Sequence, residues 1–125
     1  MSLDVTLKGE PYEHTETCHC CGHTATSMVS DVLFEANITH NLNKMADEAG
    51  IYMQVWRPDE IGITKARELI EPLRNGIALM KADPPRFEAF NSPNGWGLYK
   101  HFLPWLERYL LACEAWPDAN VEISR

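Results

Sequence analysis

Alternating apolar and polar positions predict β-strands in the first third of the chain. Apolar side chains occupy every second position from residue 3 to 7, and again from 28 to 38, apart from one polar residue, Ser30. This two-residue period is typical of a strand with one face on the core and the other in water. We therefore expect strands over residues 3–7 and 12–17, and then one long strand or two short ones hinged near Ser30 and Asp31.

After these strands the apolar period becomes that of a helix. The first predicted helix places four apolar residues on one face: Leu42, Met45, Ala46 and Ala49. Gly50 is expected to end it, because glycine readily adopts the left-handed conformation found at helix ends. Similar stripes predict helices over residues 64–80 and 99–113. Pro72 is expected to kink or interrupt the first of them, and Pro104 to kink the second.

The shorter segments complete an α+β fold. Residues 51–56 are predicted to be an apolar link, and Asp83 to cap a short helix that carries Phe87 and Phe90 into the core. Alternation in the last eight residues predicts a strand that returns to the N-terminal sheet. We expect a small antiparallel sheet, with a zinc-knuckle-like turn, packed against three to four helices. The chain is predicted to be a single domain, 1–125: 1–38 mainly β, 39–117 mainly α and 118–125 the C-terminal strand.

Composition narrows the classes of partner. Eleven basic and 18 acidic residues give a net charge of −7. A negative surface repels phosphate groups, so we expect no binding to nucleic acid or to anionic membranes. The N-terminus lacks a basic segment followed by an apolar core, and no apolar run reaches about 18 residues. A cytoplasmic location is therefore expected.

Residues 14–23 contain three of the four cysteines and three of the five histidines. Cys18 and Cys21 have C-x-x-C spacing and Gly22 follows directly, a pattern typical of a tight turn that points two sulfurs at one cation. A structural zinc ion takes four ligands, so two more are needed. We predict a structural zinc site in which His23 and His40 complete the ligand set.

Other interpretations of these cysteines stay open. His14 or Cys20 are alternative zinc ligands. A redox pair would require a helix that begins at the first cysteine, whereas the residues after Gly22 favour a turn and a strand. A disulfide requires an oxidising compartment, and the thiols could also be reduced and inert. Cys113 lies in the apolar stripe of the last helix and is predicted to be a core thiol.

Two further segments are rich in side chains suited to ligand recognition. If the last helix packs beside the first, residues 37–41 and 94–99 line one concave site. Amide, imidazole, indole and phenol groups suit a polar small molecule with a flat face. In the simpler interpretation these residues only cap helices, satisfy turns and pack in the core. The candidate ligand-binding residues are Asn37, Thr39, His40, Asn41, Asn94, Trp96 and Tyr99.

The motifs N-I-T-H-N-L at residues 37–42 and N-G-W-G at 94–97 resemble a group of short uncharacterised proteins of phages and bacteria. In that group a C-x-x-C-G knuckle can precede the same strand-to-helix segment. Cys20 is an addition to the plain knuckle. The resemblance extends over most of the chain and implies no particular activity.

Three classes of function are compatible with these features. The favoured one is a small metal-stabilised, non-catalytic binding protein, phage-encoded, that captures a host protein or a polar small ligand. A zinc-dependent hydrolase would use a zinc-bound water with His40 or Glu16 as base. A plain structural or assembly subunit is the third class. The sequence contains no H-E-x-x-H, no G-x-S-x-G and no glycine-rich phosphate loop, which argues against the enzyme.

Overall fold

A computed structural model describes residues 2–125. Its strands in chain order are β1 (Ser2–Lys8), β2 (Tyr12–Thr17), β3 (Thr24–Val29), β4 (Val32–Thr39) and β5 (Asn120–Ser124). The main sheet has β1 in the centre, antiparallel to β4 on one side and to β5 on the other. Leu3, Val5 and Leu7 of β1 are fully buried, as their alternation predicts. The predicted α+β class and the return of the C-terminal strand to the sheet are confirmed.

Helices cover the buried side of this sheet. They are α1 (Asn43–Glu48), α2 (Tyr52–Trp56), α3 (Arg67–Ala82), α4 (Pro84–Glu88) and α5 (Tyr99–Ala115). The two long helices, α3 and α5, pack against each other, and α5 also contacts β4. Tyr109 of α5 stacks on Phe34 of β4 with ring centroids 5.9 Å apart. The predicted core thiol, Cys113, is fully buried in α5.

The strands β2 and β3 form a hairpin separate from the main sheet. They pair with each other over their whole length, from Tyr12 opposite Val29 to Thr17 opposite Thr24. Every residue from 10 to 28 is exposed, so the hairpin does not pack on the core. The expected break near Ser30 is confirmed, because it separates this hairpin from β4.

Several local predictions differ from the structure. Residues 51–56 are not a link but contain α2, because a short apolar run cannot be assigned to helix or link by its period alone. The helix α3 continues through Pro72, so of the two alternatives expected there, a kink or an interruption, the interruption is wrong. Asp83 makes no capping hydrogen bond to α4. Phe87 is fully buried as expected, whereas Phe90 is 36% exposed.

Candidate ligand-binding site

A cleft of about 920 Å³ lies between residues 37–42 and residues 94–98. The first segment is the end of β4 together with a 3-10 turn, His40–Leu42, that leads into α1. The second segment is the loop before α5. The Asn41 side-chain amide joins them by donating to the Trp96 carbonyl at 2.8 Å. Volumes of this order are usual for sites that bind small molecules.

The first segment is held in place by strand pairing and by a helix cap. β1 pairs with β4 so that Ser2 lies opposite Thr39. The Thr39 hydroxyl accepts a hydrogen bond from the Asn41 backbone N–H at 3.3 Å and so caps the turn. The Asn37 amide donates to the Ser2 hydroxyl at 2.9 Å and to an Asp4 carboxylate oxygen at 2.6 Å. These two hydrogen bonds hold the Asn37 side-chain amide against β1.

Internal hydrogen bonds hold the second segment in a fixed turn. The Asn94 side-chain oxygen accepts from the Ser92 hydroxyl at 2.6 Å and from the Trp96 backbone N–H at 2.9 Å. Gly95 and Gly97 have positive φ angles of 79° and 115°, which other residues rarely adopt. As a result the Trp96 side chain stands out of the loop and is 70% exposed. It is not a core residue.

His40 is held in one orientation by a neighbouring indole. Trp56 Nε1 donates to His40 Nδ1 at 2.9 Å. Because an indole N–H can only donate, His40 Nδ1 is the acceptor, and the proton of the neutral ring lies on Nε2. His40 therefore contributes an oriented donor to the wall of the cleft.

The lining differs from the sequence prediction at several positions. Tyr99 does not join the cleft, because its hydroxyl donates to the Met80 carbonyl of α3 at 2.8 Å. Partial burial beside acidic side chains raises the pKa of this phenol. Ser2 and His101 do line the cleft. The sequence offered no signal for Ser2, since its place depends on the β1–β4 register, but His101 lies within one helical turn of Leu98.

The cleft has no charged side chain in its described lining, and more of its surface is apolar than polar. None of the described residues that line it is Asp, Glu, Lys or Arg. Its hydrogen-bonding groups include the Asn41 side-chain oxygen and the Asn94 side-chain amide. Such a lining can accept from and donate to a neutral ligand, and it offers no counter-ion to a charged one.

The cysteine-rich turn lies at the far end of the exposed hairpin. The Gly22 N–H donates to the Cys18 carbonyl at 2.8 Å, and the Cys18 N–H donates to the His23 carbonyl at 2.7 Å. Gly22 has a φ of 71°. The backbone N–H groups and the thiols of Cys21 and Cys20 lie near the Cys18 sulfur and lower the pKa of Cys18.

The four predicted zinc ligands are not brought together. Cys18 and Cys21 are neighbours in the turn, but His40 lies in the cleft with Nδ1 bonded to Trp56. Across residues 2–125 there is no group of three or more His, Cys, Asp or Glu side chains arranged to hold a metal ion. A zinc site built from Cys18, Cys21, His23 and His40 therefore lacks geometric support. Zinc binding itself stays a prediction.

Comparisons with protein-family models, curated proteins and solved structures found no match. The resemblance to short phage and bacterial proteins therefore stays a prediction that rests on its two motifs. The helices of residues 2–125 are all too short or too polar to cross a bilayer. The predicted cytoplasmic location likewise stays a prediction.

Proposed function

We propose that the protein is a non-catalytic binding protein whose cleft takes an uncharged polar small molecule with a flat face. The observation that carries this proposal is the exposed Trp96 at the edge of a largely apolar cleft whose wall also contains asparagine and histidine side chains. The flat face of the ligand stacks on the indole, and its polar edge meets the wall.

The first support is the unfavourable exposure of the apolar Trp96 side chain to water. An indole that is 70% exposed leaves a large apolar surface in water, and it could have been buried. The loop instead uses two glycines and the Asn94 side chain to keep it outside. Aromatic rings displayed beside polar groups are suited to stacking on flat ligands.

The second support is the set of polar groups in the cleft lining. His40 Nε2–H and the Asn94 amide are donors, and the side-chain oxygens of Asn37 and Asn41 are acceptors. Their other atoms are fixed by hydrogen bonds within the protein, so little side-chain freedom is lost when a ligand binds. Mixed donors and acceptors without charge suit nucleosides and monosaccharides better than phosphorylated compounds.

A catalytic role has less support in this cleft. Its titratable side chains in the described region are the two imidazoles of His40 and His101. One nitrogen of His40 is engaged by Trp56, and no hydrogen bond joins the two histidines. A hydrolase would need a base held by an orienting partner close to a nucleophile or a bound water.

The test is a thermal-shift screen with neutral nucleosides and monosaccharides, followed by calorimetric titration of each compound that raises the melting temperature. We expect at least one compound to bind the wild-type protein. We expect Trp96→Ala to weaken its affinity about tenfold or more, because stacking of a flat ring on an aromatic side chain contributes about 1–3 kcal/mol.

The matched control is Trp116→Ala, which removes a partly exposed tryptophan at the end of α5, outside the cleft. It should leave the affinity unchanged. If no compound in the screen binds, or if the Trp96→Ala and Trp116→Ala variants bind the same compound equally well, the proposed function is wrong.

A further inference from the structure

We propose that the exposed hairpin binds one zinc ion between two copies of this chain, with Cys18 and Cys21 of each copy as the four ligands. The protein would then be a metal-linked homodimer joined at the tips of its hairpins. This inference rests on the hairpin alone and does not depend on the proposed function of the cleft.

The geometry of the turn is the first step. Hydrogen bonds between Cys18 and residues Gly22 and His23 close the turn, and Gly22 takes the left-handed conformation that a short reversal needs. A tight turn with C-x-x-C spacing is the usual way in which a chain offers two sulfur ligands to one zinc ion. The turn thus presents Cys18 and Cys21 as a ready pair of sulfur donors.

The coordination number is the second step. Structural zinc takes four ligands in a tetrahedron, with Zn–S distances of about 2.3 Å. Within the described chain the pair has no third donor arranged beside it. His40 is bonded to Trp56, and Cys113 is fully buried in α5. A second copy of the chain supplies the other two sulfur ligands.

The exposure of the hairpin is the third step. Because residues 10–28 are all exposed, nothing in the same chain prevents two tips from meeting. A two-stranded hairpin without a core is at best marginally stable in water. Metal binding at its tip contributes folding free energy to such a segment. It would therefore stabilise the two six-residue strands of the hairpin.

Charge makes the association dependent on metal. Each chain has a net charge of −7, and Glu16 beside the turn is largely exposed. Two copies therefore repel each other until a cation lies between them. Four thiols release four protons as they bind Zn²⁺, and the resulting centre carries a charge of −2. We expect the dimer to dissociate when the metal is removed.

The experiment uses the full-length chain under reducing conditions, with zinc chloride at one ion per two chains. Light scattering after size exclusion gives the mass, and native mass spectrometry gives the zinc content. We expect a dimer with one zinc per two chains, which returns to a monomer with EDTA. The double variant Cys18→Ser, Cys21→Ser should be monomeric and free of zinc, with an unchanged far-ultraviolet circular dichroism spectrum.

Two single variants in the same turn are the controls. Cys20→Ser removes the third thiol of the turn, and His23→Ala keeps the backbone carbonyl that accepts from the Cys18 N–H. Both should retain zinc and the dimer. One zinc per chain in a monomer, no zinc in the wild-type protein, or loss of zinc in either control variant would overturn the shared site.

Discussion

Gly97 fixes the closest approach between the two segments that form the cleft. A Cβ atom at this position would lie 2.9 Å from the Asn41 Cβ and 3.4 Å from the Asn41 carbonyl carbon. The first of these distances is shorter than carbon atoms tolerate. The φ of 115° adds a second constraint, since L-residues rarely adopt it. Gly97 therefore determines whether the Asn41 amide can reach the Trp96 carbonyl.

We predict that Gly97→Ala destabilises the protein by about 2–3 kcal/mol, because it combines backbone strain with a clash. Gly95→Ala is the matched control. Gly95 also has a positive φ, but a Cβ there meets nothing within 4 Å. Its expected cost is about 1 kcal/mol, from strain alone. Urea unfolding measures both, and equal losses would show that the contact with Asn41 does not determine the stability of the loop.

At the scale of elements, the start of α3 depends on a carboxylate. Glu68 accepts hydrogen bonds from the backbone N–H groups of Thr64 at 2.8 Å and Lys65 at 2.9 Å. These groups have no partner within the helix, so the side chain acts as a cap. The same bonds lower the pKa of Glu68 below the ordinary value for glutamate.

This lowered pKa predicts a stability that depends on pH. The charged cap is fully effective above the pKa of glutamate in the unfolded chain, and its contribution is lost as the pH falls through the lower folded value. Glu68→Gln should therefore lower the melting temperature at pH 7 and have a much smaller effect at pH 3. Glu71→Gln, on the same helix, is the control. A difference between Glu68→Gln and wild type that does not change with pH would contradict the capping role.

The elements also show what the sequence could and could not predict. Strands β1 and β5 were predictable because one face of each meets the core, and α1 because its apolar stripe ends at a glycine. The sequence does not predict the helix α2, because five residues are too few to show a helical period. The two segments that line the cleft could be predicted, because they combine asparagines with Trp96, side chains suited to ligand binding. The place of Ser2 in the lining could not be predicted, because it depends on the register between two strands that are far apart in the sequence.

On the scale of the whole molecule, the hairpin is an insertion between two neighbouring strands of the main sheet. Lys8 of β1 pairs with Val32 of β4, and the Gly9 N–H donates to the Asp31 carbonyl at 2.9 Å. The chain thus leaves the sheet and returns to it at almost the same point. The buried residues of the core all lie outside the insertion. The sheet could therefore be closed by a much shorter turn.

We predict that a variant with Asn-Gly in place of residues 11–30 folds as the parent does. Asn-Gly favours the tight turn that joins antiparallel strands, and Glu10 remains to pair with Lys65, which it contacts at 2.7 Å. The variant should unfold cooperatively, with a melting temperature within a few degrees of wild type in the absence of zinc, as followed by circular dichroism. It should keep any ligand binding of the cleft and lose zinc-dependent dimerisation. If it no longer unfolds cooperatively, the hairpin contributes to the core in a way that its exposure does not explain.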